Sequence, residues 1–180
     1  MSEEKDFINR LKSEKSRELA FKELIGLYKE RLYWHIRKIV INHDDADDVL
    51  QNTFIKVYRN IESFKGESKL YSWMYRIATN ESITFINSKA KMNAISSEEL
   101  KNKAIETLTS DVYFEGDEIQ LKLQRAIAGL PQKQQLVFNM KYFDDITYEE
   151  LSEILDTSVG ALKSSYHLAV KKITAYLTHN

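Results

Sequence analysis

Apolar residues return every three or four positions along most of this chain, and almost nothing interrupts them. Phe21, Leu24, Ile25, Tyr28, Leu32, Ile36 and Ile39 fall at that spacing, which is the period of an amphipathic helix. One proline and five glycines in 180 residues leave little of the turn chemistry that hairpin-rich folds require. The fold is therefore expected to be all-α, and a chain of this length can build two small helical units as readily as one core.

The absence of cysteine excludes a disulfide framework, a thiol nucleophile, an iron–sulfur cluster and a cysteine zinc site. The segment MSEEKDFINR is polar, and the longest uncharged aliphatic run is residues 39–41. Neither a signal peptide nor a membrane span is expected, and the protein reads as cytoplasmic.

A second helix follows an aspartate cluster. Leu50, Phe54, Val57, Tyr58 and Ile61 form its stripe, with Asp44, Asp45, Asp47 and Asp48 at its start, where carboxylates suit the helix dipole. A break at 63–68, containing Gly66, precedes a third helix carrying Leu70, Trp73, Met74 and Ile77. Three such stripes can close a bundle. Over residues 89–117 the period fades, and Glu98, Glu99, Glu106, Asp111, Glu115 and Asp117 outnumber Lys101 and Lys103, as in an acidic linker. Helical spacing resumes near Ile119, stops at Gly129 and restarts with Pro131 as the first helical residue. Thr147 and Glu150 have capping-box spacing ahead of Leu151, Ile154 and Leu155, and Ser158 caps a last helix running to about Leu177. A short helix, a tight turn and a longer helix make the helix-turn-helix plan. The expected division is an N-terminal helical bundle over 1–88, an acidic linker over 89–117 and a helix-turn-helix domain over 118–180.

Three surfaces carry chemistry. On a wheel of about 100° per residue, Leu162, Tyr166, Ala169, Val170, Ile173 and Leu177 share the inner face of the last helix, while Gly160, Lys163, Ser164, His167 and Lys171 share the outer one. No acid occurs from 159 to 180, so the outer face suits the major groove of DNA. From Lys56 to Lys91 seven cations (Lys56, Arg59, Lys65, Lys69, Arg76, Lys89, Lys91) face three acids, a net of plus four in a chain whose total is minus one. Tyr58, Phe64, Tyr71, Trp73 and Tyr75 interleave with them, a pattern that fits unpaired bases on a phosphate backbone. Tyr58 and Trp73 also lie on apolar stripes, where a core role is the plainer explanation. The outer face of the aspartate-led helix, with Asp48, Gln51, Asn52, Ile55 and Arg59, would suit a partner presenting arginines.

The order of these pieces resembles the extracytoplasmic-function (ECF) group of the sigma-70 family of bacterial transcription initiation factors. Residues 44–61 resemble its core-polymerase-binding helix, SFKGESKLYSWMYRIATN its promoter-melting segment, and YEELSEILDTSVGALKSSYHLAVKKI its C-terminal helix-turn-helix. The resemblance implies that Asp47, Asp48, Gln51, Asn52 and Ile55 meet the clamp helices of the polymerase largest subunit. It implies that Phe64, Lys65, Gly66, Glu67, Ser68 and Lys69 form the pocket for a base flipped from the minus-ten element, with Tyr75, Arg76 and Asn80 beside it. Gly160, Lys163, Ser164, His167 and Lys171 would read the minus-thirty-five element near the polymerase flap region. Promoter DNA, duplex and single-stranded, and an anti-sigma factor are the other implied partners; no cofactor, metal or membrane insertion is. The family often has glycine where this chain has Asp156, threonine where it has Ala161 and arginine where it has Ser165.

Two other readings are weaker. His43 and Asp44 could start a metal site of a helical phosphohydrolase, but such sites need further histidines converging on one ion. A helix-turn-helix regulator acting without polymerase would leave the basic, aromatic stretch without a role. A pI near 6.4 also gives little general attraction for duplex DNA. The expected mechanism is binding, without covalent catalysis.

Overall fold

The computed structural model describes residues 3–111 and 116–179, and the described residues form α-helices with no strand. The helices are α1 (Glu3–Lys12), α2 (Arg17–Val40), α3 (His43–Asn60), α4 (Leu70–Met92), α5 (Ser97–Glu106), α6 (Glu118–Ala128), α7 (Gln132–Tyr142), α8 (Tyr148–Leu155) and α9 (Val159–His179). They build the two-part, all-helical architecture that the apolar period predicts.

In the N-terminal lobe α2, α3 and α4 pack on one another and α1 lies across α2. Leu24, Leu32, Ile36, Val57, Leu70, Met74 and Ala78 are fully buried between them. Asn42 caps α3, its side-chain oxygen accepting from the Asp45 N–H at 3.0 Å, and Asp44 and Asp45 occupy the first turn. Three buried hydroxyls are satisfied within their own helices: Thr53, Thr79 and Ser82 donate to the carbonyls of Val49, Tyr75 and Ala78. Between α2 and α3 the chain turns through Ile41 at φ 69°, a region that β-branched residues avoid. Ile41 is held there by burial with Ile105, Leu108 and Ala128.

That small cluster belongs in part to the acidic linker, whose described residues carry helical structure. The third helix runs on to Met92, and Ser96 caps α5 by accepting from the Glu99 N–H at 3.0 Å. Ile105 and Leu108 turn inward, and Lys101 is buried, donating to Gln135 Oε1 at 2.7 Å. Glu98, Glu99 and Glu106 stay on the solvent side. Asp111 pairs with Arg37 at 2.5 Å, and Glu115 lies outside the described residues.

The C-terminal lobe comprises α6 to α9. Pro131 precedes the first helical residue rather than being it: at φ −53° and ψ 143° it is the N-cap of α7. The capping box is present, with Thr147 Oγ1 accepting from the Glu150 N–H and Glu150 Oε2 accepting from the Thr147 N–H at 3.1 Å. Asp156 makes the turn in the left-handed region, φ 49° and ψ 50°, and Ser158 Oγ accepts from Ala161 N–H at 3.3 Å. Leu162, Ala169 and Ile173 are buried as expected, but Val170 and Leu177 are 38% and 39% exposed.

The lobes are in contact, α8 lying on α4 and α7 on α2. Leu136, Val137, Met140, Ile146, Leu151 and Ile154 join the N-terminal core in one continuous apolar cluster.

Candidate polymerase and nucleic-acid interfaces

Helix α3 turns Ala46, Val49, Leu50, Thr53, Phe54 and Val57 inward. The same period leaves Asp48, Gln51, Asn52 and Ile55 exposed, with Asp47 half-buried and its carboxylate 3.4 Å from His43 Nε2. Ile55 is 47% exposed and forms one wall of an apolar groove of about 510 Å³ between α2 and α3. Phe21, Ile25, Leu50, Phe54 and Tyr58 complete the groove, with Lys29 and Arg59 at its rim. Phe21 meets Phe54 and Tyr58 edge-on. The sequence pattern points to the α3 half of this surface and misses the α2 half, because Phe21 and Ile25 read as ordinary members of an inward stripe.

The loop at 64–69 and the first turns of α4 depart from the expectation at two residues. Phe64 is only 4% exposed, packing on Trp73 with ring centres 5.1 Å apart, and Tyr75 is fully buried. Neither offers a ring face to solvent. Tyr75 accepts a hydrogen bond from Arg31 Nε at 3.2 Å, and burial pushes its hydroxyl far above the usual tyrosine range. The physical cause is that α4 is covered on two sides, by α2 and α3 and by α8. Lys65, Gly66, Glu67, Lys69, Arg76 and Asn80 are exposed and Ser68 partly so. Gly66 takes φ 74°, which explains glycine at the bend. Tyr71 is half-buried with its hydroxyl pushed up to about 12, by burial first and by Glu150 second.

Lys56, Lys69, Arg76 and Lys89 of this stretch hold partners within the chain. Lys56 pairs with Glu81, Lys89 with Asp45 at 2.7 Å and Lys69 with Glu150 at 2.8 Å. Arg76 donates to the backbone carbonyl of Glu153. Arg31, which the sequence did not single out, lies over the Tyr71 and Tyr75 rings at 5.1 and 5.6 Å.

Helix α9 presents its outer face as expected: Gly160, Lys163, Ser164, His167 and Lys171 are all exposed. Lys163 Nζ lies 5.7 Å from the centre of the Tyr148 ring. His43, the start of the alternative metal site, faces the Tyr33 hydroxyl through Nδ1 at 2.5 Å. Among the described residues no group of three or more acids and histidines is placed to hold an ion.

Comparison with known proteins assigns both lobes. The family model for sigma-70 region 2 matches residues 24–92, and that for sigma-70 region 4 matches residues 120–173. The ECF RNA polymerase sigma factor SigW of Bacillus subtilis is 31% identical, covering 82% of this chain and 83% of its own. An ECF RNA polymerase sigma-E factor of Haemophilus influenzae is also 31% identical, covering 81% and 80%. Among solved structures, CnrH in complex with the cytosolic domain of CnrY superposes with a TM-score of 0.72 at 17% identity, covering 98% of both chains. The sigma factor RpoE in complex with the anti-sigma factor NepR from Bartonella quintana gives 0.67 at 18%, covering 89% of this chain and 98% of that one. With region 2 supplied by the α2–α4 bundle and region 4 by the helix-turn-helix lobe, the chain belongs to the ECF group of the sigma-70 family and is an RNA polymerase sigma factor, an initiation factor rather than an enzyme.

Proposed function

We propose that the division of labour follows the two lobes: residues 1–88 bind polymerase and capture the minus-ten element, 89–117 tether, and 118–180 read the minus-thirty-five element. The observation that carries this is the pairing, on one helix, of an exposed acidic and polar face (Asp48, Gln51, Asn52) with the apolar groove beside Ile55. A partner helix bearing arginines and an apolar ridge fits both, and the clamp helices of the polymerase largest subunit are that partner. Asp47 acts from the edge of the same face.

At the minus-ten element, Lys65, Gly66, Glu67, Ser68 and Lys69 form the rim that holds a flipped base, and Arg76 and Asn80 guide the backbone. Phe64 and Tyr75 shape the floor from beneath rather than stacking in the open. Trapping unpaired bases offsets an unpairing cost of a few kcal/mol each, so strand opening is a population shift toward the bound state. Lys163, Ser164, His167 and Lys171 read the upstream element, with Gly160 allowing close approach at the start of α9. With a total charge of minus one the free factor binds duplex weakly, and polymerase, also touching the C-terminal lobe through its flap, supplies the missing affinity.

The factor works in the cytoplasm and is restrained by an anti-sigma protein; the similarity in fold to the sigma factor RpoE solved with the anti-sigma factor NepR supports that reading. Among the described residues no helix is long and apolar enough to cross a membrane. Run-off transcription with core polymerase on a promoter library tests the whole proposal: defined transcripts that appear only with this chain are expected, and their absence overturns it.

A further inference from the structure

Between α5 and the α2–α4 bundle lies a pocket of about 220 Å³, outside the surfaces assigned to polymerase and promoter, and its lining is unbalanced in charge. It holds three ammonium groups, Lys89, Lys101 and Lys103, against one carboxylate, Asp45. That carboxylate is already taken, both of its oxygens lying 2.7 Å from Lys89 Nζ. We infer that this pocket is a binding site for a small dianionic phosphate, free or as the monoester of a small apolar group.

Lys101 carries the argument. It is only 7% exposed, yet among the described residues its partner is a neutral group: Nζ donates to Gln135 Oε1 at 2.7 Å. Buried ammonium groups are ordinarily paired with an anion, because stripping water from the charge is expensive. Burial lowers Lys101 below the usual lysine range, and no neighbouring acid offsets it. An ammonium has three N–H groups, and the amide oxygen takes one of them. Gln135 also holds Lys101 in place, since its Nε2 donates to the Ala128 carbonyl at 2.9 Å and so keeps Oε1 turned to the lysine.

The other donors join at little cost. Lys103 pairs with Glu99 of the same helix at 3.3 Å, and both side chains are more than half exposed, where such pairs hold weakly. Lys89 gives two contacts to Asp45 and keeps a third N–H. Asn42 spends its Oδ1 on the cap of α3, which leaves the Nδ2 donors. With Asp45 engaged, the pocket therefore offers donors on a net of plus two, and an acceptor-only dianion matches both. Val40, Phe85, Ile86 and Leu100 supply apolar lining, room for a small substituent on the phosphate but not for a drug-sized ligand. Because Lys101 and Lys103 belong to α5 and Lys89 to α4, a bound phosphate ties the linker helix to the bundle.

Thermal melting of the full chain, with inorganic phosphate or phenyl phosphate at millimolar concentration against sodium chloride of equal ionic strength, reads the binding. A rise of a few degrees is expected with phosphate and none with chloride. Tighter binding of phenyl phosphate assigns the monoester as occupant, and equal binding assigns the free ion. Amide hydrogen exchange should slow across residues 97–106 when phosphate is added. Lys101→Met keeps the bulk of the side chain without its charge and is expected to lose the phosphate shift, measured against its own baseline. Lys103→Ala, at an exposed position, leaves the buried contacts intact and is expected to weaken binding roughly tenfold. A wild type that responds to phosphate no more than to chloride overturns the inference. So does a shift that survives both substitutions, or protection that falls on α9 alone, whose lysines also attract phosphate.

Discussion

The surfaces of α4 and α9 are built from the same materials and stand in opposite conditions. Both carry lysine or arginine among small and polar residues. On α9 Lys163, Ser164, His167 and Lys171 face solvent, whereas on α4 Lys69 and Arg76 are matched by α8. The difference lies in how charge is sorted within the C-terminal lobe. Six of its acids, Asp144, Asp145, Glu149, Glu150, Glu153 and Asp156, fall within thirteen residues, and none follows Val159. One edge of the lobe can therefore neutralise α4 while the other cannot neutralise itself. An acidic edge placed ahead of a basic helix gives one small lobe two faces of opposite charge, the acidic one lying against α4.

The sharpest way to break this contrast is to remove Tyr75. If its ring were a base-stacking surface like those available to α9, Tyr75→Ala would leave stability nearly unchanged. Because it is fully buried, truncation is expected to cost about 3–5 kcal/mol, measured by urea denaturation. A loss below about 1 kcal/mol, the range typical of surface positions, would return Tyr75 to the nucleic-acid face.

Tyr75 also shows where sequence reasoning stops. The helical period was enough to find α2, α3, α4 and α6 to α9, because each keeps an apolar stripe of ordinary width. Helix α4 is different: besides Leu70, Met74 and Ala78 it buries Tyr75 and Thr79, against Arg31 and His35 of α2. Nothing local distinguishes a tyrosine that is exposed from one covered by Arg31 and His35, some forty residues away on α2. Helix α5 escaped for the converse reason. Leu100, Ile105 and Leu108 are too few and too widely spaced to show through acids that only line its outer side. The candidate site was legible in its outward members, such as Asp48, Lys163 and His167, whose exposure follows from one helix alone. Phe64, the α2 half of the groove and the α8 contacts depend on tertiary packing, which a single-helix wheel does not contain.

The comparison is sharpened next by single substitutions on each surface. Lys163→Ala or Ser164→Ala is expected to lose about 1–3 kcal/mol of discrimination among upstream elements if either makes a good base contact. Arg76→Ala should leave that discrimination intact and slow strand opening. Run-off transcription on templates varied in each element separates the two effects. Equal loss of upstream selectivity in both variants would mean that the surfaces do not act independently.

Acidity probes the seam between them. Burial holds His35 below the usual histidine range, against the opposing pull of Asp144. The unfolded chain therefore takes up a proton before the folded one does, and stability rises with pH in that window. Melting temperature is expected to fall as pH drops from neutrality through about 6.5 and below, and Glu150 and Asp144, both lowered, add their loss only at more acidic pH. Calorimetry of the wild type beside His35→Gln checks the assignment. The variant should be flatter near pH 6 and still fall in the carboxylate range, and identical curves would place the titration elsewhere.

The smallest effect concerns the turn that sets α8 against α9, and so sets which way each charged edge points. Asp156 adopts φ 49°, a conformation glycine reaches without the steric cost an L side chain bears. Asp156→Gly relieves that cost and gives back part of it through the greater freedom of the unfolded chain. A net stabilisation of about 0.5 kcal/mol is expected, read from denaturant midpoints at constant slope. Destabilisation instead would show that the Asp156 carboxylate, at the edge of the cavity beside Arg76, contributes more to holding the lobes together than its backbone costs the turn.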